Sequence, residues 1–238
     1  IEAEAYLNRL NEYESKSDEA KEMGYKPTRD LELETLAGVL RGEILVHNHC
    51  YRADEMASMI DVAKEFGYKI TAFHHGVEAY KIADLLADNN ICGALWADWW
   101  GFKIEAYDGI QENIALVDRP AGGCAIVHSD SDEGIQRLNQ EAAKAMLRGN
   151  RAGLDIPPER AIRWITYNAA KSLGIHEQTG SVEAGKMADV VLWSQDPFSV
   201  YAKPLQVYID GVLRYEQNNP SLSPQSDFEL GQLMGAAQ

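Results

Sequence analysis

Glu43-Ile44-Leu45-Val46-His47-Asn48-His49-Cys50 decides how the rest of the chain is read. An aliphatic run that ends abruptly in histidines has the pattern of a buried parallel strand whose last side chains face a site instead of a core. Two later stretches end the same way. Lys69-Ile70-Thr71-Ala72-Phe73 runs into His74-His75-Gly76, and Cys124-Ala125-Ile126-Val127 runs into His128-Ser129-Asp130-Ser131. Five of the six histidines are therefore expected just past strand ends, His176 being the exception.

Outward from these stretches the pattern alternates. A strand at 43–48 leads to a helix with Met56, Met59, Ile60, Ala63 and Phe66 on one face, closed by Gly67. A strand at 69–74 leads to a helix carrying Val77, Tyr80, Leu85 and Leu86, ended by Asn89-Asn90. A strand at 91–96 precedes the aromatic segment Asp98-Trp99-Trp100-Gly101-Phe102-Lys103 and a helix near 108–117. A strand at 123–128 precedes a helix of Ile135, Leu138, Ala142 and Met146 with Gly149 behind it. Pro157-Pro158 then opens one more helix, through Ile162, Ile165, Ala169 and Leu173 to Gly174. Four strand and helix units joined by short turns predict an α/β fold of parallel strands with helices outside, in which ligands gather at the carboxyl ends of the strands.

Residues 1–42 read as a helical lead-in: Tyr6, Leu7, Leu10 and Tyr13 share one helical face, and Asp30 caps a helix of Leu33, Leu36, Ala37 and Leu40 stopped by Gly42. Residues 43–174 form the α/β unit, with strand ends near 48, 75, 96 and 130. After Gly174 the texture changes to short strands with Asp210-Gly211 as a hairpin turn, so 175–217 is read as a small β appendage. Residues 218–238 have little to pack and are expected to be an extended or disordered tail.

The formal net charge of −15 provides no basic patch to attract phosphate, which argues against nucleic acid and anionic membranes as partners. No apolar run reaches the roughly 18 residues of a membrane span. Cys50, Cys92 and Cys124 contain no CxxC pair, and their odd number and wide spacing favour free thiols in a reducing, cytoplasmic compartment. The chain enters a helical pattern at Ile1 without a Met or a cap, so the true start is expected upstream, which leaves room for a signal peptide and the compartment open.

A divalent transition metal takes neutral imidazoles and a carboxylate, and a catalytic site leaves one position open for water. One His from each of two neighbouring strands and an Asp from a later one supply that set: His47, His75 and Asp130. Asp130 is placed to take a proton from the attacking water and pass it to the leaving group. His49, His74 and His128 stand beside them as supporting or substrate contacts, or as structural histidines. Cys50 is either a further ligand or a buried strand-end thiol. Trp96, Trp99 and Trp100 either wall a pocket or pack a loop, and Lys103 either meets an anionic substrate or is solvated.

Several of these stretches occur together, and in order, in a known family. Val46-His47-Asn48-His49 with Arg52-Ala53-Asp54-Glu55, His75-Gly76-Val77-Glu78-Ala79-Tyr80-Lys81, and His128-Ser129-Asp130-Ser131 resemble the fifth, sixth and eighth strand ends of the amidohydrolase superfamily, nearest its imidazolonepropionase-like members. Thr166 to Ile175 and Gly180 to Val191 resemble the last barrel helix and the return to a β-sandwich, with Asp210-Gly211 as a turn of that sandwich. Ala169 stands where Pro is common, and His74 where an acidic residue often precedes the ligand. The resemblance implies the C-terminal half of a (β/α)8 barrel plus a small β-sandwich appendage. It assigns His47, His75 and Asp130 to the metal, one or two divalent ions with zinc foremost, and makes His49 a neighbour.

The family's first-strand HxH, and its strand-four Lys or Glu, have no counterpart here. The expectation is therefore a truncated, self-insufficient piece of a hydrolase that uses metal-activated water on the C–N bond of a small amide, cyclic amide or dipeptide. A half barrel is further expected to expose two sheet edges and an uncovered inner face, inviting self-association. The competing expectation is a non-catalytic half barrel serving in assembly or small-ligand binding.

Overall fold

A computed structural model describes residues 1–24, 26–99 and 101–222. Trp100 and most of the expected tail, 223–238, lie outside the described residues. Helices α1 (Glu2–Glu14), α2 (Asp18–Met23) and α3 (Leu31–Leu40) form the lead-in. As expected, Asp30 caps α3, its Oδ1 accepting from the backbone N–H of Glu32 and Leu33 at 3.1 Å each.

The α/β unit follows as β1 (Val46–Cys50), α4 (Ala53–Phe66), β2 (Ile70–His75), α5 (Ala83–Asp88), β3 (Cys92–Leu95), α6 (Asn113–Asp118), β4 (Ala125–Val127) and α7 (Leu138–Arg151). The four strands pair in parallel in chain order, β1-β2-β3-β4, as one half of a barrel sheet. The last helical stretch is broken: α8 (Pro158–Ala161) opens on proline, a 3₁₀ turn covers Ile162–Ile165, and α9 (Tyr167–Ser172) ends before Gly174 at φ 71°. Strands β5 (Val190–Trp193), β6 (Pro204–Ile209) and β7 (Val212–Glu216) form a separate antiparallel sheet, its tight turn made by Asp210 and Gly211 at φ 49° and 75°.

Alternation along the strands sorts side chains onto two faces. Phe73, Leu95, Ala125 and Val127 join Met56, Ile60 and Ala63 of α4, Leu86 of α5 and Trp164 in the main core beneath the helices. Ala72, Cys92, Ala94, Cys124 and Ile126 form a separate cluster on the opposite, concave face.

Several expectations are corrected. The histidines do not sit beyond the strands: His47 and His49 are inside β1, and His74 and His75 inside β2, so only His128 lies past a strand end. The helix expected near 108–117 begins at Asn113, after a turn. Gly149 does not stop a helix but lies inside α7, where an added Cβ would come 2.4 Å from Ile156 Cδ1 and 2.7 Å from Ala115 Cβ; the glycine permits the contact.

The free-thiol expectation fails for two of the three cysteines. Cys92 and Cys124 are joined by a disulfide because adjacent strands put their Cα atoms 4.6 Å apart on one face. A separation of 32 residues concealed that proximity in the sequence, and only Cys50 remains free, buried. Cysteine usage therefore no longer points to a reducing compartment. Among the described residues no helix is long and apolar enough to cross a membrane.

The concave face is not bare either. Its cluster is at most 7% exposed, and Ala169 of α9 packs against it. Asn168, buried on the same helix, donates from Nδ2 to the Ala125 carbonyl at 2.7 Å, and His47 Nε2 lies 2.9 Å from the Ser172 carbonyl oxygen. The chain's own helix thus reaches both outer strands, leaving β1, whose residues are mostly half-buried or exposed, as the more open edge.

Candidate active site at the strand ends

Ladder register brings the histidines together. His49 stands opposite His74, and Cys50 opposite His75. Strict alternation would put His75 on the helical side with its neighbours Cys50 and Leu95, which belong to the main core. Its backbone instead adopts φ 72°, a left-handed conformation uncommon outside glycine, and its ring joins those of the concave side. Gly76 follows at φ 39°, and an added Cβ there would come 2.6 Å from Leu95 Cδ2. This turn is pinned by the buried Asn113, whose Nδ2 donates to the Gly76 carbonyl at 2.9 Å.

The result is a packed group of imidazoles. His49 Nδ1 and His75 Nε2 are 2.7 Å apart, His47 Nδ1 and His74 Nε2 are 2.9 Å apart, and the His49 and His74 rings stack at 5.0 Å. His128 approaches both, with ring centroids 5.3 Å from His75 and 5.8 Å from His74. Burial, with the neighbouring imidazoles adding to it, pushes His74 down to about 4 and His128 to about 3. His75 is lowered by burial and then by His49, while the charge of Asp130 opposes the shift at both His74 and His75. The lowered groups are therefore neutral at pH 7, the state a metal ligand or a proton acceptor requires.

Of the residues expected to act together, the structure pairs His75 with His49 instead of His47. Both ring nitrogens of His47 are engaged elsewhere, by His74 and the Ser172 carbonyl. Asp130 lies on the loop after β4 at φ 55°, exposed, close enough for its charge to act on the cluster. Cys50 faces the helical side, where burial and then Glu55 raise its thiol to about 11, which removes it from the donor set.

The fit to a divalent metal is right in kind and short in number. His75 Nδ1 and His128 Nε2 are buried without a hydrogen-bond partner, and neutral imidazole is the donor zinc prefers. Among the described residues, however, no group of three or more His, Cys, Asp or Glu side chains is arranged to hold a metal ion.

Aromatic residues form one wall. Trp96 stacks on His75 at 4.6 Å and on His128 at 4.9 Å, and its Nε1 donates to the Ser129 carbonyl at 2.8 Å, tying the end of β3 to the loop that carries Asp130. Tyr51 also stacks on His75, at 4.8 Å, with its ring 5.9 Å from that of Trp96. Tyr51 and Asn113 escaped the sequence reading because neither belongs to a motif; position immediately after the His-Asn-His-Cys run is the one signal that marks Tyr51.

Comparison with known proteins agrees with this architecture. Residues 111–214 match the model of the amidohydrolase family. The chain is 35% identical over 213 residues to amidohydrolase tasK of Hapsidospora irregularis, a match covering 84% of this chain and 21% of that protein. A solved amidohydrolase from Thermotoga maritima MSB8 superposes with a TM-score of 0.74 at 31% identity, over 90% of this chain and 56% of that one. A zinc-bound adenosine deaminase from Xanthomonas campestris shares the fold alone, with a TM-score of 0.58 at 19% identity, over 78% of this chain and 48% of that one. The chain thus spans about a fifth of the curated relative and about half of the solved structures it matches.

Proposed function

Because the chain belongs to the amidohydrolase superfamily, we propose that it supplies the later strand ends of a metal-dependent hydrolase acting on C–N bonds of small molecules. The observation that carries this reading is the imidazole pair His49 and His75, 2.7 Å apart near the ends of β1 and β2 in a partial barrel. His75 would hold the metal, with His49 as its β1 partner in place of His47, and Asp130 beside them. A divalent ion, zinc foremost since a protein of the same fold binds it, would supply a Lewis acid and an acidified water.

The chain's own residues do the rest. Asp130, exposed on its loop, takes the proton released by the attacking water on its carboxylate and hands it to the departing nitrogen. Trp96 covers the rings of His75 and His128 and fixes the Asp130 loop through Ser129. His47 and His74 orient one another, and the His74 ring stacks on that of His49.

Two imidazoles and a nearby carboxylate fall short of a closed site, and the first-strand HxH of the family is not among these residues. Full activity on this reading needs donors from further barrel strands, joined along the open edge of β1, or from a second copy there. The same shortfall favours the rival reading, a half barrel that binds or assembles without catalysis.

Zinc analysis separates the two. After loading and dialysis, wild type is expected to retain zinc and His75→Ala to lose it; a wild type that retains none, or a His75→Ala protein that keeps it, sinks the assignment. With the remaining strands supplied, Asp130→Asn is expected to lower turnover of amide substrates by about 10²–10⁴-fold. A stable monomer that resists both self-pairing and a complementing half counts against assembly at β1.

A further inference from the structure

Lys103 is placed unlike the other lysines near this end of the fold. Lys81 pairs with Asp108 at 2.8 Å, and Lys144 pairs with Asp98 and Glu141 at 2.8 Å each. Lys103 pairs with no carboxylate among the described residues, in a chain holding 37 acidic side chains. Its Nζ instead sits 3.7 Å from the centroid of the Tyr51 ring and 5.8 Å from that of Phe102. Tyr51 in turn stacks on His75, so the ammonium stands one ring away from the imidazole pair.

A cation held against a π face keeps its charge and the N–H bonds that point away from the ring. The surfaces between it and the histidines are uncharged: Tyr51, Phe102 and Trp96, the last two in edge-on contact at 5.6 Å. The field of the ammonium already reaches His75, where it opposes protonation. The charge of Asp130 also reaches His75 and His74 with the opposite sign, and it repels an anion. His75 therefore stands in the field of a positive charge at Lys103 and a negative one at Asp130.

We propose that Lys103, braced on Tyr51, is the docking point for an anionic group of the substrate, and that the substrates of this site are amides bearing a carboxylate. This inference rests on the histidine cluster being the reacting centre. The two charges act on an anion in opposite senses, so the carboxylate is drawn toward Lys103 and away from Asp130. N-acyl amino acids and dipeptide-like compounds carry such a carboxylate close to the scissile C–N bond.

The test uses N-acetyl-L-leucine and N-acetyl-L-leucinamide, two probes of nearly one shape that differ in charge, titrated calorimetrically into the full chain at low ionic strength. The acid is expected to bind about fivefold more tightly than the amide, the scale of an exposed ion pair. The preference is expected to vanish in Lys103→Met, persist in Lys103→Arg and shrink as salt rises. Trp96, whose ring lies 5.9 Å from that of Tyr51 and 5.6 Å from those of Phe102 and Trp99, reports through its fluorescence that the probe enters here. Equal binding of the two probes, binding of neither, or a preference that survives Lys103→Met overturns the proposal. Zinc retained without any preference removes this inference and leaves the hydrolase reading; preference without zinc does the reverse.

Discussion

The two faces of the parallel sheet are built from different materials. Toward the helices stand Phe73, Leu95 and Val127, meeting Met56, Ile60, Leu86 and Trp164, all but closed to solvent. Toward the concave side stand alanines, two cysteines and one isoleucine, and beyond them the histidines. Large apolar side chains bury most area per residue, so the helical face holds the main share of the stability. The concave face has small residues where strands converge and polar rings where the barrel opens. That division lets chemistry change on one face without dismantling the other.

The contrast is broken most severely from the helical side. Phe73 is fully buried. Phe73→Ala is expected to cost about 3–5 kcal/mol, the cost of a large core cavity, read as a fall in the denaturant midpoint. A loss below about 1 kcal/mol would show that the helical face is not the structural one. On the concave side the sensitive point is polar. Asn168 is 4% exposed and its amide satisfies the Ala125 carbonyl. Asn168→Ala leaves that carbonyl buried and unpaired, at an expected cost of about 1–3 kcal/mol. A neutral result would mean that water replaces the amide and that α9 does not close this edge.

The same division explains what could be seen in the sequence. The alternation of strands and helices, the apolar face of α4, the cap at Asp30 and the turn at Asp210-Gly211 each follow from a local pattern, and each is present. The histidines were legible as a group because three strand ends carried them. Which histidine meets which was not legible, since it depends on ladder register and on a left-handed backbone at His75 that alternation does not foresee. Spacing groups His47 with His75 and Asp130; the contacts of His47 with His74 and with the carbonyl of Ser172, a residue 125 positions away, have no local signal. The disulfide and the covering of the concave face by α9 are likewise contacts across long separations, for which a single sequence holds no local signal. Lys103 shows the same limit, since nothing in Gly101-Phe102-Lys103 indicates the ring it rests on.

The smallest expected effect compares the faces through their cysteines. Cys50 belongs to the helical core and is 6% exposed, and with its thiol pushed up to about 11 only about one part in a thousand is ionised at pH 8. Cys92 and Cys124 lie on the concave face and are bonded to one another. Iodoacetamide at pH 8 is therefore expected to leave the native chain unmodified, to add one group after unfolding without reductant, and to add three after unfolding with it, each count read from the intact mass. One group in the native state would put Cys50 within reach of solvent and loosen the helical face. Three groups without reductant would dissolve the disulfide, and with it the close approach of β3 and β4 at the base of the concave face.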